Sequence, residues 1–265
     1  MDQKSANVTF VDTHAHLYFD KFDEDRDQVI QNALDAGVTR IINIGIDLKT
    51  SRLAIELAEK YEHVYAAAGF HPNSSHQVKP DHWEQLNQLF ARPKVVSIGE
   101  IGLDYYWDDS PAKIQKQVLV RQLEKAVELD KPVIIHNREA WGDILSILAS
   151  DFKNKLRGVF HCFSGLEDEA KIVLDLGFHI SFTGVVTFKN SKALTVAADF
   201  VPLDRLLLET DCPFMAPVPY RGKRCEPAYV PLIANKIAEV RGINVADLAF
   251  QTNKNVEELF GIKSN

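Results

Sequence analysis

The sequence predicts an α/β protein folded as a single-domain (β/α)₈ barrel, the TIM barrel. Short apolar runs alternate with longer amphipathic stretches along the 265 residues. Eight such βα units in sequence favour a barrel over an open sheet. Several apolar runs are continuous rather than alternating, as expected of parallel strands that are buried on both faces. Because a barrel of this class typically takes about 250 residues, we expect one domain over residues 1–265.

The apolar runs indicate where the eight strands lie. Their approximate ranges are 8–14, 40–46, 64–70, 95–100, 132–137, 157–162, 178–183 and 204–210. Helices are expected between them, most clearly over 112–130, where apolar residues recur at spacings of three and four. Gly37 and Gly177 stand where left-handed caps would end helices near 23–36 and 167–176. Two further helices are expected near 227–241 and 245–259.

Composition limits the classes of partner. The formal net charge of −7 provides no general attraction to nucleic acid or membranes, although metals and a few local cations can still bind phosphates. The N-terminal segment 1–7 is polar, no run approaches the roughly 18 apolar residues that span a bilayer, and three cysteines do not suggest a disulfide framework. No GxxxxGK[ST] or GxGxxG motif predicts a nucleotide cofactor. We expect a cytoplasmic protein without membrane contact, and favour a monomer.

Histidines and carboxylates stand at the downstream ends of the apolar runs. The C-terminal ends of parallel strands meet on one face of a barrel, which is where the active sites of such barrels lie. Residues spread over nearly 200 positions would therefore meet at one place, and imidazole and carboxylate groups are ligands for divalent metals. The candidate metal ligands are His14, His16, Glu100, His136, His161 and Asp211.

These ligands favour two metal ions over one. A catalytic zinc ion usually has three protein ligands, whereas two metals about 3.5–4 Å apart can share a bridging carboxylate. Glu100, on a middle strand, is the natural bridge. The first metal would be held by His14, His16 and Asp211, because the first and eighth strands are neighbours in a closed barrel. His136 and His161 would hold the second.

The two ions, with Mg, Mn or Zn as candidates, would acidify a water molecule into a nucleophile. Asp211 is a candidate to accept the proton of that water, so Glu100 and Asp211 are the predicted catalytic residues. This chemistry is hydrolytic and requires no redox group.

Five short motifs follow one another from about residue 10 onward: Asp12–Leu17, Gly69–Pro72, Gly99–Tyr105, His161–Gly165 and Glu209–Pro213. Together they resemble the signatures of the TatD family of metal-dependent hydrolases, which are related to the amidohydrolases. The resemblance implies a TIM barrel, a divalent-metal site and deoxyribonuclease activity, specifically 3′→5′ exonuclease activity, with DNA as the substrate. It also places His71 and Glu209 near the metals as supporting residues.

Two interpretations remain open for each of the two supporting residues, His71 and Glu209. His71 is either a contact of the metal site or substrate, or a structural histidine. Glu209 either orients a metal-bound imidazole through a hydrogen bond or pairs with a nearby cation.

A basic loop after the eighth strand contains Arg221, Lys223 and Arg224. It is a candidate phosphate-binding site, which Arg138 and Lys189 would join, and a solvated loop is the alternative. The aromatic residues 105–107 either stack on bases or pack the loop over the barrel mouth.

Two other functions remain open at this stage. One is a metal-dependent hydrolase of another ester or amide, for example an aminoacyl ester on tRNA. Glu100 stands where many amidohydrolases have a modified lysine, which disfavours cyclic amides. The other is a non-catalytic, metal-stabilised binding module, for which closed, four-coordinate metal sites would be expected.

Overall fold

The computed structural model describes residues 8–263, and eight strands form one sheet in the order β1 to β8 with every neighbouring pair parallel. A parallel bridge between Ala15 and Cys212 joins the first strand to the chain just after the eighth, which closes the barrel. The predicted TIM barrel is confirmed. The strands are Phe10–Ala15 (β1), Val38–Ile44 (β2), Val64–Ala68 (β3), Val95–Asp104 (β4), Val133–Arg138 (β5), Gly158–Phe160 (β6), His179–Phe182 (β7) and Leu206–Leu208 (β8).

Nine α-helices connect and cover these strands within residues 8–263. The five helices for which the sequence predicted a range are present, and their ends differ from the predicted ones by at most three residues. Gly37 and Gly177 have the expected positive φ, of 83° and 85°. The helices are Arg26–Asp35 (α1), Leu48–Lys60 (α2), His82–Phe90 (α3), Ala112–Leu129 (α4), Trp141–Asp151 (α5), Glu167–Asp175 (α6), Lys192–Phe200 (α7), Val230–Arg241 (α8) and Val245–Phe260 (α9).

Three strands differ from the sequence prediction by three residues or more in length. β4 continues four residues past 100, because Gly102 pairs closely with His136 of β5. A Cβ atom at Gly102 would lie 1.8 Å from the carbonyl oxygen of His136, so only glycine permits this approach. β6 and β8 are shorter than predicted. The chain leaves the extended conformation soon after them, with φ of 42° at Cys162 and 55° at Asp211.

The C-terminal helix α9 covers the end of the barrel where the strands begin. Val256, Leu259 and Phe260 pack in one cluster with buried residues of six strands. The buried Asn255 donates hydrogen bonds from Nδ2 to the carbonyl oxygens of Leu203 (2.7 Å) and Leu206 (2.8 Å), at the start of β8. The opposite end of the barrel remains available for the site.

Two buried glutamines of α4 hold the chain where β3 and β4 end. Gln122 accepts from the backbone nitrogen of Phe70 (2.7 Å) and donates to its carbonyl oxygen (3.1 Å). Gln115 forms the same pair of bonds with the backbone of Asp104, at 2.9 and 2.8 Å, and donates a third to Ser110. Seven residues separate the two side chains, which places them on one face of the helix.

Replacing Gln122 with leucine should lower the free energy of unfolding by about 1–3 kcal/mol, because the buried N–H and C=O of Phe70 both lose their partner. Urea denaturation followed by circular dichroism measures this change. Gln117→Leu, at an exposed position of the same helix, is the matched control and should change stability little. An equal effect of the two substitutions would contradict the role assigned to Gln122.

His179 begins β7 and is buried at the end of the barrel that α9 covers. Burial, with a smaller contribution from Arg205, lowers the pKa of His179 to about 4. The unfolded chain, with an ordinary histidine pKa, binds the proton more readily than the folded protein between about pH 6.5 and pH 4. Stability that is present above pH 6.5 should therefore be lost as the pH falls.

The loss due to His179 should amount to about 3 kcal/mol between pH 7 and pH 4. Urea denaturation at both pH values, in EDTA, would compare the protein with the His179→Leu variant. The variant should lose about 3 kcal/mol less stability than the parent. If the free energies of unfolding of the two proteins changed equally with pH, protonation of His179 would not destabilise the folded protein, and this prediction would be wrong.

Two sequence predictions involve residues outside the described range 8–263. They are the absence of a signal peptide, which concerns segment 1–7, and the extension of the single domain over residues 1–265. Between residues 8 and 263, no helix combines the length and the apolar character that a membrane crossing requires.

Candidate metal centre

The structure brings all six predicted ligands together at the C-terminal ends of the strands. His14 lies in β1 and His16 directly follows it, while Glu100 lies in β4 and His136 in β5. His161 follows β6, and Asp211 follows β8. Their ligand atoms form overlapping groups, each with all atoms within 4.8 Å of one another, and these include His14–His16–Asp211 and His14–Glu100–His161.

The first group is assembled by barrel closure. The backbone nitrogen of Asp211 donates to the carbonyl oxygen of His14, and that of His16 donates to the carbonyl oxygen of Cys212, both at 2.8 Å. The Nε2 atoms of His14 and His16 lie 3.2 Å apart. Asp211 Oδ1 is 3.4 Å from Nε2 of His16 and 3.7 Å from Nε2 of His14. Three possible ligand atoms thus converge on one point.

Glu100 faces two histidine groups with its two carboxylate oxygens. Oε1 is 2.8 Å from both His136 Nδ1 and His161 Nε2. Oε2 faces the first group, at 3.4 Å from His14 Nε2 and 3.9 Å from His16 Nε2. A carboxylate placed in this way has the geometry that a bridge between two cations requires.

Three imidazoles have an acceptor beside the ring nitrogen that faces away from the centre. His16 Nδ1 is 2.9 Å from the carbonyl oxygen of Ile44, and His136 Nε2 is 3.0 Å from Asp104 Oδ2. His161 Nδ1 faces Glu209 Oε1 at 3.4 Å. Because carbonyl and ionised carboxylate oxygens only accept, each of these outward nitrogens can hold a proton, and once the imidazole is neutral its other ring nitrogen can present a lone pair to a metal ion at the centre. The donor set fits divalent metal ions.

His71 differs from these three histidines. Its Nδ1 accepts a hydrogen bond from the backbone nitrogen of Asn73 at 3.2 Å, so the proton of a neutral His71 lies on Nε2. That atom is 3.4 Å from Glu100 Oε1. The geometry therefore makes His71 a donor toward the Glu100 carboxylate, although His71, Glu100 and His136 also form a group whose possible ligand atoms all lie within 4.8 Å of one another.

The buried charges favour an ionised Glu100. Burial alone raises the pKa of this carboxyl group, but the charges of His161 and His71 and hydrogen bonds from His136 and His14 outweigh burial and lower the pKa well below its usual range. Burial alone lowers the pKa of His161. Glu100 and Glu209 outweigh burial and raise this pKa well above its usual value. Cations that bind here must displace protons from the histidines, so metal affinity should rise with pH.

Two carboxylates support the centre without facing it directly. Glu209 is fully buried, and accepts from the backbone nitrogen of Cys162 (2.6 Å) and from the hydroxyl of Ser181 (2.7 Å). Asp12 accepts from the backbone nitrogens of His14 (3.2 Å) and Thr210 (2.9 Å). Burial raises the pKa of Asp12 to about 7 against the effect of these bonds. Asp12 thereby joins the end of β1 to the segment that precedes Asp211.

The sequence interpretation assigned no role to Asp12 or Asp104. Asp104 lies at the end of β4, beyond the predicted end of that strand, and its Oδ1 accepts from the backbone nitrogens of Tyr106 (3.0 Å) and Trp107 (3.2 Å). The signal that could have found both residues was present, because each belongs to a motif that resembles the TatD signatures.

Comparison with known proteins agrees with the geometry. The family model described as TatD related DNase matches residues 11–261. The chain belongs to the TatD family. The Bacillus subtilis protein named uncharacterized metal-dependent hydrolase YabD is 43% identical to this TatD-family chain over 251 residues, which cover 95% of this chain and 98% of the relative. This TatD-family protein is a metal-dependent hydrolase.

The chain is also similar to a protein named as an exonuclease and to a TatD homologue of known structure. An Escherichia fergusonii protein named 3′-5′ ssDNA/RNA exonuclease TatD is 36% identical, covering 95% of this TatD-family chain and 98% of the relative. The crystal structure of YjjV, a TatD homologue from Escherichia coli, superposes with a TM-score of 0.90 at 32% identity, covering 96% of this chain and 98% of that one.

The cations predicted to bind phosphate have different surroundings in this TatD-family structure. Arg138 is exposed at the end of β5, with its guanidinium carbon 3.8 Å from the centre of the Tyr106 ring. Lys189, Arg221 and Lys223 are exposed, and the guanidinium of Arg221 lies 4.4 Å from the ring centre of Phe188.

The prediction for Arg224 requires correction. Its guanidinium donates to both carboxylate oxygens of Asp25, at 2.8 and 2.6 Å, and to Glu226 at 2.9 Å. Two carboxylates neutralise its charge, and a third acceptor, the carbonyl oxygen of Lys21, takes a further bond. Arg224 therefore fastens the loop to α1 and is removed from the candidate phosphate contacts.

Proposed function

We propose that this TatD-family hydrolase is a deoxyribonuclease that removes nucleotides from the 3′ end of DNA. Its centre would hold two divalent ions, one at His14, His16 and Asp211 and the other at His136 and His161, with Glu100 between them. The observation that carries the proposal is the orientation of Glu100, whose two oxygens face two separate histidine groups.

When bound, two such ions would polarise a phosphate, acidify a water molecule and stabilise the leaving oxygen. Asp211, which lies beside His14 and His16, would accept the proton of the attacking water. The water oxygen forms a bond to phosphorus as the bond from phosphorus to the 3′ oxygen breaks, and the leaving oxygen takes a proton from solvent. His71, through its Nε2 proton, would hold Glu100 in its bridging orientation.

DNA as the substrate is supported by similar proteins and by exposed cations on the surface. The matched family is described as a DNase, and the name of the Escherichia fergusonii relative refers to single-stranded DNA and RNA. Exposed cations at the mouth suit a phosphate backbone, with Arg138 beside β5, and Lys189, Arg221 and Lys223 on the loops after β7 and β8.

The test is a product ladder from DNA labelled at its 5′ end, single-stranded or double-stranded, with magnesium, manganese and zinc compared. The proposal expects labelled products that shorten one nucleotide at a time from the 3′ end, and no products in EDTA. An aminoacyl ester and an RNA strand are assayed in parallel. Turnover of the aminoacyl ester without turnover of DNA would overturn the proposal in favour of another ester hydrolase.

A further inference from the structure

A cavity of about 200 Å³ lies between α3 and α4, among the helices that surround the barrel. Trp83, Asn87 and Phe90 line it from α3, at spacings of four and three residues that place them on one face of the helix. Arg121 and Lys125 line it from α4 with the same spacing of four. None of the six predicted metal ligands lines this α3–α4 cavity, so it is separate from the metal centre.

The cavity has a buried floor and an exposed rim. Phe90 and Gln122, which also lines the cavity, are buried, whereas Trp83 and Asn87 are half-buried and Arg121 is exposed. A small molecule can therefore enter from solvent and reach apolar surface. Because an apolar cavity of roughly 150 Å³ holds benzene, the volume here accommodates one aromatic ring with a small substituent.

Arg121 gives the cavity a preference for an anion. Its guanidinium carbon lies 4.1 Å from the centre of the Trp83 ring. No carboxylate in the described part of the chain forms an ion pair with it, including Glu124 one turn further along α4, whereas Lys125 is paired with Glu128 at 2.5 Å. A guanidinium that stacks on a ring keeps N–H donors at its edge, where they can bind a carboxylate through two hydrogen bonds.

The cavity also adjoins the segment that positions His71. Gln122 binds both backbone groups of Phe70, and the ring of Trp83 is perpendicular to that of Phe70, with centres 5.4 Å apart. His71 follows directly, and its Nε2 lies 3.4 Å from Glu100 Oε1. A ligand in contact with Trp83 and Gln122 would therefore favour the position of Phe70 that is seen here.

We propose that the α3–α4 cavity is an effector site that binds a small aromatic carboxylate. The ring of the ligand packs against Trp83 and Phe90, and its carboxylate binds Arg121. Binding stabilises the hydrogen bonds between Gln122 and Phe70. Because the cavity is separate from the metal centre, its ligand is distinct from the substrate.

Benzoate is the probe, titrated into the full-length, magnesium-loaded protein in a calorimeter. Its roughly nine non-hydrogen atoms, at the efficiency usual for small ligands, give an expected Kd of about 1 mM. Benzyl alcohol, which keeps the ring and lacks the charge, should bind about 10- to 150-fold more weakly, because it loses the charged hydrogen bonds. The absence of saturable benzoate binding up to about 20 mM would overturn the proposal.

Three variants locate the bound benzoate. Arg121→Gln should weaken benzoate binding by about 10- to 150-fold and leave the binding of benzyl alcohol unchanged. Asn87→Phe places a ring in the cavity and should abolish the binding of both compounds. Lys113→Gln, at an exposed position of α4 that does not line the cavity, is the control and should bind benzoate like the parent. Parent-like affinity in Arg121→Gln and Asn87→Phe would show that benzoate binds elsewhere and that the proposal is wrong.

Hydrogen exchange, resolved by mass spectrometry, tests the connection to Phe70. The backbone N–H of Phe70 is bonded to Gln122 and exchanges when this contact opens. Benzoate at ten times its Kd should slow that exchange by about 10-fold, because it binds the closed form. Unchanged exchange at saturating benzoate would disprove the connection. Neither measurement involves cleavage of DNA, so this proposal and the proposed function can fail separately.

Discussion

Replacing Glu100 with glutamine should abolish hydrolysis while the barrel stays folded. The substitution removes the charge and converts one of the two facing oxygens into an amide nitrogen that cannot bind a cation. We expect kcat/KM to fall by more than about 100-fold, beyond what loss of an outer hydrogen-bond partner costs at a metal site. Metal content should fall from two ions per chain to one or none.

Assays at saturating manganese, with metal content measured by plasma mass spectrometry after gel filtration, test this expectation. Glu124→Gln, at an exposed position of α4, is the matched control and should behave like the parent. The far-ultraviolet circular dichroism of both variants should match the parent, which separates loss of the centre from loss of the fold. Full activity of Glu100→Gln with two bound ions would disprove the bridging role.

Replacing Asp104 with asparagine should weaken the second metal position selectively. Oδ2 of Asp104 lies 3.0 Å from Nε2 of His136, which favours a proton on Nε2, leaves the lone pair of Nδ1 for the proposed second metal ion and strengthens the ring as a ligand. Loss of such an outer partner typically lowers metal affinity or activity by 10- to 100-fold, so we expect a decrease of about that size. The position at His14, His16 and Asp211 should keep its affinity.

Titration with manganese, followed by electron paramagnetic resonance, separates the two affinities. Raising the manganese concentration should restore most of the kcat of Asp104→Asn, since the variant retains every ligand. Asp108→Asn, at an exposed position of the same loop, serves as the control and should leave both affinities unchanged. A variant that binds both ions as tightly as the parent would show that Asp104 acts only on the loop after β4.

The clustering of the six predicted ligands could be anticipated from the sequence because it follows from topology. Parallel strands place their C-terminal ends on one face, so a histidine at the end of one apolar run must lie near a carboxylate at the end of another. Even the proximity of Asp211 to His14 follows from barrel closure, and the bridge between Ala15 and Cys212 confirms that closure.

The features that sequence reasoning missed depend on contacts that no local pattern encodes. Asp104 reaches His136 only because β4 continues past Glu100, which in turn requires the close approach of Gly102 to β5. Arg224 belongs to a basic run in the sequence, but its charge is neutralised in part by Asp25, a residue 199 positions away. Local charge patterns cannot show such a pairing.

The proton position of His71 also depends on the fold. Its place after β3 indicated proximity to the centre, but the position of its proton follows from the backbone nitrogen of Asn73, which donates to Nδ1. Similarly, the two glutamines of α4 look like ordinary polar residues in sequence, and only the fold shows that they bind the backbone of Phe70 and Asp104.

Anomalous X-ray diffraction from crystals of the manganese-loaded protein tests the central claim most directly. The account predicts two peaks about 3.5–4 Å apart, one beside His14, His16 and Asp211 and the other beside His136 and His161, with the Glu100 carboxylate between them. A single peak at full manganese loading, or two peaks that do not share Glu100, would contradict it.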